Sequence, residues 1–163
     1  MFSNSTERLI YLAAVLGAVL LFKSCESRAD TATLVRYSSS MGFKAPVAVY
    51  KAISDAARTY GLDETKMLRV AIVESSLNPK AHGFNKNGTE DIGLFQINTV
   101  IAKDECQEFN LWNVKGNALC AAKVMARHKR SGDPYYIGRY HSKNHSRKLD
   151  YYRKVRNLSY GNK

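Results

Sequence analysis

The sequence predicts a mainly α-helical domain with one small β-hairpin insert, preceded by an N-terminal hydrophobic helix. Three observations carry this prediction. Apolar residues recur at helical spacing from Pro46 onward, a polar segment around Asn87-Gly88 interrupts them, and residues 9–22 carry no charge. A chain of 163 residues is long enough for one sizeable core and an appendage. The predicted units are a membrane anchor or signal segment (1–23), a tether (24–44) and a folded domain (45–163).

The N-terminal apolar run is bracketed by Arg8 and Lys23. Its fourteen uncharged residues suit the core of a signal peptide and are few for a spanning helix, which needs about 20. Because Lys23 interrupts the small residues of a cleavage site, the pattern favours a retained anchor over a cleaved signal. In both cases we expect the rest of the chain to leave the cytoplasm. Residues 24–44 show no sustained period and contain a run of three serines, which favours a tether.

The folded domain begins with two helices. The first starts near Pro46 and stops at Gly61, with an apolar stripe of Val47, Tyr50, Ile53, Ala57 and Tyr60. Asp63 is predicted to cap the second helix, which runs to Glu74 and is closed by Pro79. The polar residues 82–92 contain Asn87-Gly88, a strong turn signal, and are predicted to form the hairpin. Further helices are predicted near 96–103, 114–130, 134–141 and 145–157.

Charge is concentrated in the last third of the chain. Residues 115–163 contain thirteen Lys or Arg and two acids, a net of +11 that equals the charge of the whole chain. A surface of this kind suits a polyanionic partner, such as nucleic acid, an anionic membrane or an anionic cell-wall polymer, or it serves solubility alone.

Glu74 is the strongest candidate for chemistry. It follows Met67 by seven residues and Val70 by four, so it shares their apolar stripe rather than the solvent face. A carboxyl at the end of such a stripe loses hydration, which raises its pKa and favours the protonated acid near neutral pH. Glycosidic bond cleavage needs such a proton donor for the leaving oxygen. The alternative is a glutamate paired with a nearby Arg or Lys.

Three motifs resemble a known family. Residues 74–81 (ESSLNPKA), 91–98 (DIGLFQIN) and 138–142 (GRYHS) resemble the signature of the soluble lytic transglycosylase family, whose domain is lysozyme-like. The resemblance covers about residues 46–155 and is closest to the small members of conjugation systems, secretion systems and phages. Phe95 stands where that family usually has methionine. The resemblance implies a lysozyme-like α+β catalytic domain.

The resemblance also implies a substrate and residue roles. The substrate is peptidoglycan, cleaved at the β-1,4 bond between N-acetylmuramic acid and N-acetylglucosamine. Glu74 would be the single general acid and then base, and Ser75 would support its helix end. Tyr140 would orient Glu74. Gln96 would bind the sugar's acetamido group unless it is a helix cap, and Gly93 would let the backbone approach the glycan unless it is an ordinary turn glycine.

Asp91 fits two reactions. It follows Glu74 by seventeen residues, as the second carboxylate does in animal-type lysozymes, where hydrolysis retains configuration. A lytic transglycosylase needs no such group, because the 6-hydroxyl of muramic acid attacks the anomeric carbon. Small secretion-type transglycosylases also carry an acid here, and turn aspartates commonly hold backbone N–H groups. The overall motif pattern favours the transglycosylase, with a 1,6-anhydro product.

The cysteines suit an exported enzyme. Cys106 and Cys120 enclose about 15 residues, and a disulfide there would contribute about 3 kcal/mol. The resemblance favours the pair over free core cysteines, which leaves Cys25 free or pairing between chains. We expect no cofactor and no metal, because His141 and His145 lack the glutamate of a zinc motif.

Two classes of function remain open. The first is a muralytic enzyme that faces the periplasm and cell wall, tethered by its N-terminal helix, with a phage virion or a secretion or conjugation apparatus as partner. The second is a non-catalytic glycan-binding envelope or virion protein. The intact Glu74 motif favours the enzyme. Nucleic-acid binding by the basic C-terminal helix is not expected, because it leaves Glu74 and Gln96 unexplained, and Leu149, Tyr152 and Val155 are predicted as that helix's buried face.

Overall fold

The computed structural model describes residues 30–158, which contain seven helices and three short strands. In order these are α1 (Thr31–Ser40), α2 (Val47–Tyr60), α3 (Glu64–Ser75), β1 (His82–Phe84), β2 (Glu90–Ile92), β3 (Ile97–Asn98), α4 (Thr99–Glu105), α5 (Val114–Arg130), α6 (Tyr136–His141) and α7 (His145–Arg156). A mainly helical architecture with a small antiparallel sheet is therefore confirmed. The predicted N-terminal hydrophobic helix lies outside the described residues. Between residues 30 and 158, no helix is both long and apolar enough to cross a membrane.

The first described helix corrects the tether prediction. Residues 31–40 form α1, and the carboxylate of its N-cap Asp30 accepts a backbone N–H at 2.7 Å. Leu34 and Ser38 are fully buried. The Tyr50 hydroxyl donates to the Ser38 hydroxyl at 3.1 Å, which ties α1 to α2. The serine run resembles a linker in sequence because nothing local indicates that Ser38 is buried. Its burial depends on the tertiary hydrogen bond with Tyr50.

The centre of the helical core is the packing of α2 against α5. α2 begins after Pro46 and ends at Gly61, whose φ of +64° is the left-handed conformation that favours glycine. The α5 face toward the core is rich in small side chains, which lets the helices approach closely: Ala118, Ala121, Ala122 and Ala126 are all buried. Of the predicted α2 stripe, Tyr50, Ile53 and Ala57 are buried and Val47 is exposed.

The hairpin forms as predicted, and a third strand extends it. His82 pairs with Ile92 and Phe84 with Glu90 across a tight turn. Sequence periodicity placed a helix start at residue 96, but β3 forms there and pairs Asp91 with Asn98. The helix begins at Thr99, because the Asn98 side chain caps it by accepting from Val100 N at 3.1 Å.

The C-terminal helices differ from the prediction in which residues they bury. Tyr151 and Val155 are buried in α7, whereas Leu149 and Tyr152 are half-buried. A one-residue rotation of the buried face moves Tyr151 inward, because α7 packs against both α6 and α3 rather than against one neighbour. This rotation brings the Tyr151 hydroxyl to the end of α3.

A disulfide joins Cys106, at the end of α4, to Cys120 in α5, and both residues are buried. It connects the short helix after the sheet to the central helix. Cys25 lies outside the described residues.

Candidate active site

A cleft of about 750 Å³ collects side chains from the sheet segment, the central helix and the two C-terminal helices. Glu74 reaches it from the last turn of α3. The other residues with a role below are Asp91, Gln96, Asn85 and Asn98 from the sheet segment, Arg127, His128, Arg139, Tyr140, His141 and Arg147 from the helices, and Lys143 from the loop before α7. Three of the predicted site residues, Asp91, Gln96 and Tyr140, thus share one cleft with Glu74.

Glu74 has the properties of a general acid. Its pKa is raised from 4.5 to about 7, chiefly because burial removes hydration from the carboxylate. The Tyr151 hydroxyl donates to Glu74 Oε1 at 2.5 Å and, with the positive charge of Lys154, opposes this rise, while the charge of Asp91 adds to it. Near neutral pH the carboxyl therefore exists in both its protonated and ionised forms.

The tyrosine that holds Glu74 is a correction to the sequence prediction. Tyr140 was expected to orient Glu74, but its hydroxyl donates to the Phe95 carbonyl oxygen at 2.7 Å. Tyr151 makes the bond to Glu74 instead, and its ring stacks on His141 with centroids 4.5 Å apart. Tyr140 lies one helix earlier and holds the turn that carries Gln96. One sequence signal could have identified Tyr151. It precedes Val155, which is correctly predicted as buried, by four residues, and this spacing places both residues on the same face of the helix.

Asp91 is held in the cleft by side-chain amides. Asn98 donates to its Oδ1 at 2.8 Å and Asn85 donates to its Oδ2 at 2.9 Å. Both asparagines also donate to the Thr89 hydroxyl. The carboxylate therefore does not hold the hairpin through backbone N–H groups, as a turn aspartate commonly would. Two neutral donors fix its orientation.

The backbone around Glu74 is strained. Within residues 30–158, three non-glycine residues have left-handed φ values: Ser76 (53°), Leu77 (67°) and Gln96 (46°). Such conformations cost on the order of 1–3 kcal/mol each and concentrate at functional sites. Leu77 is buried, and its N–H donates to the Ala71 carbonyl oxygen at 3.4 Å, so core packing maintains the sharp exit from α3. The exit directs the chain away directly after Glu74.

Gly93 packs closely against the protein interior. Its φ is +74°, and a Cβ there would lie 2.5 Å from Asn117 Nδ2 and 3.1 Å from the Leu111 carbonyl oxygen. The space is occupied because Asn117, 1% exposed, donates to the carbonyls of Ile92 (2.8 Å) and Leu111 (3.1 Å) and accepts from Phe95 N (2.9 Å). The positive φ and the Asn117 contact explain a glycine at this position, and its approach to the glycan stays a prediction. Asn117 was missed because a polar residue in a helix gives no sequence signal of burial.

Gln96 and Ser75 fix the turn that follows the sheet. Gln96 lines the cleft, and its side-chain amide donates to the Gly93 carbonyl oxygen at 2.9 Å, which leaves a second amide hydrogen for a ligand. Its contact with a sugar acetamido group stays a prediction. The Ser75 hydroxyl donates to the Leu94 carbonyl oxygen at 2.7 Å and lies 3.2 Å from the Ala71 carbonyl oxygen. Ser75 therefore joins the end of α3 to the turn.

The polar groups of the cleft include carboxyls, amides and basic side chains. Across residues 30–158, no group of three His, Cys, Asp or Glu side chains is placed to hold an ion. What the cleft offers is a buried carboxyl that gains or loses a proton near neutral pH, the side chain of Asp91 in the same cleft, and amide groups suited to sugar hydroxyl and acetamido groups.

This fold and site correspond to the lysozyme-like class. The family model described as "Lysozyme like domain" matches residues 51–133, half of the chain, and the chain belongs to this family. The lysozyme of Hyalophora cecropia is 37% identical over 87 residues, which cover 44% of this chain and 63% of that lysozyme. The matched region thus spans less than two thirds of that relative. No solved structure matches the chain significantly.

The family assignment confirms the resemblance drawn from the motifs at 74–81 and 91–98, both of which lie inside the matched residues. The third motif, 138–142, lies beyond them and contributes Tyr140 and His141 to the cleft.

Proposed function

We propose that this protein cleaves the β-1,4 bond between N-acetylmuramic acid and N-acetylglucosamine in peptidoglycan, as a lytic transglycosylase. The observation that carries the proposal is Glu74, whose pKa of about 7 makes it both a proton donor and a proton acceptor at neutral pH. Glu74 lies in the same cleft as Asp91 and Gln96, and this cleft has room for sugar rings.

The reaction needs two proton transfers at one carboxyl. Protonated Glu74 gives its proton to the leaving 4-oxygen of N-acetylglucosamine as the bond to the anomeric carbon of muramic acid breaks. Positive charge develops on the sugar ring, and the Asp91 carboxylate stabilises it electrostatically. The 6-hydroxyl of the muramic acid then attacks the anomeric carbon, and the Glu74 carboxylate takes up its proton. The product is a 1,6-anhydro sugar, and no water is consumed.

A retaining lysozyme-type hydrolase is the second candidate, and the geometry of Asp91 favours it. The amides of Asn85 and Asn98 occupy one acceptor site on each carboxylate oxygen, so each oxygen keeps a lone pair for attack on the anomeric carbon. In this reaction Asp91 forms the covalent intermediate and water replaces the 6-hydroxyl. The two reactions share every step that Glu74 performs.

The decisive experiment is digestion of purified sacculi followed by mass spectrometry of the products. Anhydro-muropeptides identify the transglycosylase, and products one water heavier with a reducing muramic end identify the hydrolase. Asp91→Asn keeps the shape and one of the two accepted amide bonds, so it should retain much of the transglycosylase activity, whereas it should abolish hydrolysis.

Glu74→Gln tests the site itself. The substitution keeps the shape and the hydrogen-bond acceptor but removes the titrating proton, so we expect wall clearing to fall at least about 10³-fold. Glu108→Gln is the matched control, since Glu108 is half exposed and pairs with Lys123 outside the cleft. If Glu74→Gln clears walls at the wild-type rate, the protein is not a glycan-cleaving enzyme of this type. If wild type only binds sacculi, it is a non-catalytic glycan-binding protein.

We further propose that the enzyme acts in the periplasm or cell wall, attached by the apolar residues 9–22, alone or as part of a phage virion or a secretion or conjugation apparatus. The disulfide supports an oxidising compartment, since cytosolic proteins seldom keep one. Alkaline carbonate extraction of membranes tests the attachment, because an anchored protein stays in the pellet. A protein released into the supernatant would contradict it.

A further inference from the structure

We propose that a basic wall of the cleft, formed by Arg127, Arg139, Lys143 and Arg147, binds carboxylates on the peptide stems of the substrate and so makes the enzyme select stem-bearing glycan over bare glycan. The inference rests on the proposed function and names the part of peptidoglycan that the cleft recognises beyond the sugars. The four residues come from α5, α6, the following loop and α7, and all line the same cleft as Glu74.

Part of this wall lacks a carboxylate counter-ion within residues 30–158. Arg127 pairs with Glu105 at 2.7 Å, and Arg139 donates to the Lys143 carbonyl oxygen at 3.3 Å. Lys143 and Arg147 make no ion pair with a described acid, although the nearby Lys148 is paired with Asp133. Their charges are therefore available to an anionic ligand in the cleft.

The positive charges of the wall contribute to lowered pKa values at two histidines in the cleft, for which burial is the first cause. The pKa of His128 is lowered from 6.5 to about 4, chiefly by burial; the charges of Arg127, Arg139 and Lys143 contribute to the lowering, and Asp133 opposes it. Burial also lowers the pKa of His141, with Lys154 and Arg147 contributing. Both imidazoles are neutral at neutral pH, so they add hydrogen-bonding groups to the wall without adding charge.

The distribution of charge identifies the ligand. A continuous polyanion such as nucleic acid would have to pass Glu74 and Asp91, whose carboxylates lie in the same cleft and repel it. A peptidoglycan strand has a neutral sugar backbone, and its negative charge is carried on peptide branches. The backbone therefore suits the carboxylate side of the cleft, and the branches suit the basic wall.

The wall also accounts for part of the charge asymmetry of the sequence. All four of its residues belong to the segment 115–163, which holds the entire net charge of +11. Long Lys and Arg side chains at the rim of a cleft raise the local concentration of an anionic substrate and its rate of association.

The test compares glycan strands that differ only in their stems. Sacculi are solubilised with stems intact, or stripped of stems by an amidase, and kcat/KM is measured on each at low and high salt. For the wild type we expect stem-bearing strands to be favoured about 3- to 10-fold, a preference that about 0.5 M salt removes by screening. The Lys143→Gln/Arg147→Gln variant should lose the preference, because its kcat/KM should fall several-fold more on stem-bearing strands than on bare strands.

The matched control is Lys44→Gln/Lys66→Gln, which removes the same charge from two exposed lysines outside the cleft. It should keep the preference. Equal rates of the wild type on both substrates, or an equal loss in the two double variants, would overturn the proposal. The proposal would also be overturned if bare strands that carry a phosphodiester polymer competed for the enzyme as well as stem-bearing strands do. Stronger competition by single-stranded DNA than by stem-bearing strands would overturn it too.

Binding separates this inference from the proposed function. Co-sedimentation of the full-length Glu74→Gln protein with the two insoluble substrates requires no turnover. If wild type cleaves neither substrate, the proposed function fails. The basic wall is then supported if Lys143→Gln/Arg147→Gln weakens binding to stem-bearing material alone, and it is refuted if binding is unchanged.

Discussion

Replacing Tyr151 with Phe removes the one side-chain hydrogen bond to the Glu74 carboxyl found within residues 30–158. That bond lowers the pKa of Glu74 against the rise caused by burial, so its loss should raise the pKa further above about 7. Glu74 must be protonated to act as an acid, and kcat/KM should therefore decline as pH rises through its pKa. We expect the alkaline limb of the Tyr151→Phe profile to move to higher pH.

The size of the displacement follows from the two protonation states. A hydrogen bond to an ionised carboxylate contributes about 1.5–3 kcal/mol, and one to a neutral carboxyl about 0.5–1.5 kcal/mol. The difference of about 1–1.5 kcal/mol corresponds to about one pH unit, since one unit equals about 1.4 kcal/mol. Phe preserves the ring that stacks on His141, so the packing around Glu74 changes little.

The assay is the pH dependence of kcat/KM for sacculus clearing at constant ionic strength. Tyr152→Phe is the control, because Tyr152 is half-buried on the same helix and its ring contacts Tyr135 rather than Glu74. Tyr140→Phe is a second comparison. It releases the Phe95 carbonyl, so it should lower kcat while leaving the alkaline limb in place.

If the alkaline limb of folded Tyr151→Phe lies at the same pH as in wild type, then Glu74 is not the titrating acid or the Tyr151 bond does not affect its pKa. A limb that moves to lower pH would contradict the sign of the argument.

Three further predictions concern stability. Because the pKa of Glu74 is raised, its contribution to folding stability is fully present below about pH 4.5 and is lost as pH rises through about 7. The free energy of unfolding of Glu74→Gln should therefore exceed that of wild type by up to about 3 kcal/mol at about pH 8 and by little at about pH 4. Urea unfolding at the two pH values measures this difference. Gly93→Ala should cost several-fold more than Gly88→Ala by the same measurement, because both have positive φ but only the first meets an atom, Asn117 Nδ2 at 2.5 Å; equal costs would contradict the Asn117 contact. Non-reducing peptide mapping should show the disulfide, and its reduction should lower the free energy of unfolding by about 3 kcal/mol; two freely alkylated thiols in exported protein would contradict it.

The elements that local chemistry defines were predictable from sequence. Pro46 and Gly61 bound α2, Asp63 caps α3, and Asn87-Gly88 turns the hairpin, because each signal acts within a few residues. The position of Glu74 on an apolar stripe was enough to predict its raised pKa. These features depend on spacing and caps alone, which is why they needed no knowledge of the tertiary structure.

The parts that long-range packing decides were not predictable. Tyr151 is 77 residues from Glu74, and Asn117 is 24 residues from Gly93, so neither contact leaves a local pattern. The α1 helix looked like a linker because its buried face is narrow, with Leu34 and Ser38 as its only fully buried residues. In each case the sequence supplied a side chain whose role depends on which element packs against it.

The choice of a tyrosine as the partner of Glu74 has a chemical reason. The proposed reaction needs the same group as an acid in one step and as a base in the next, so its partner must stay bonded in both states. A lysine or arginine only donates, and beside a buried carboxyl it would hold the pKa far below neutrality and remove the acid. A hydroxyl can donate to one oxygen of the group in both protonation states, which leaves the other oxygen to carry the proton that is transferred. Tyr151 can therefore stay bonded to Glu74 in both steps, while burial keeps the two protonation states close in free energy near neutral pH.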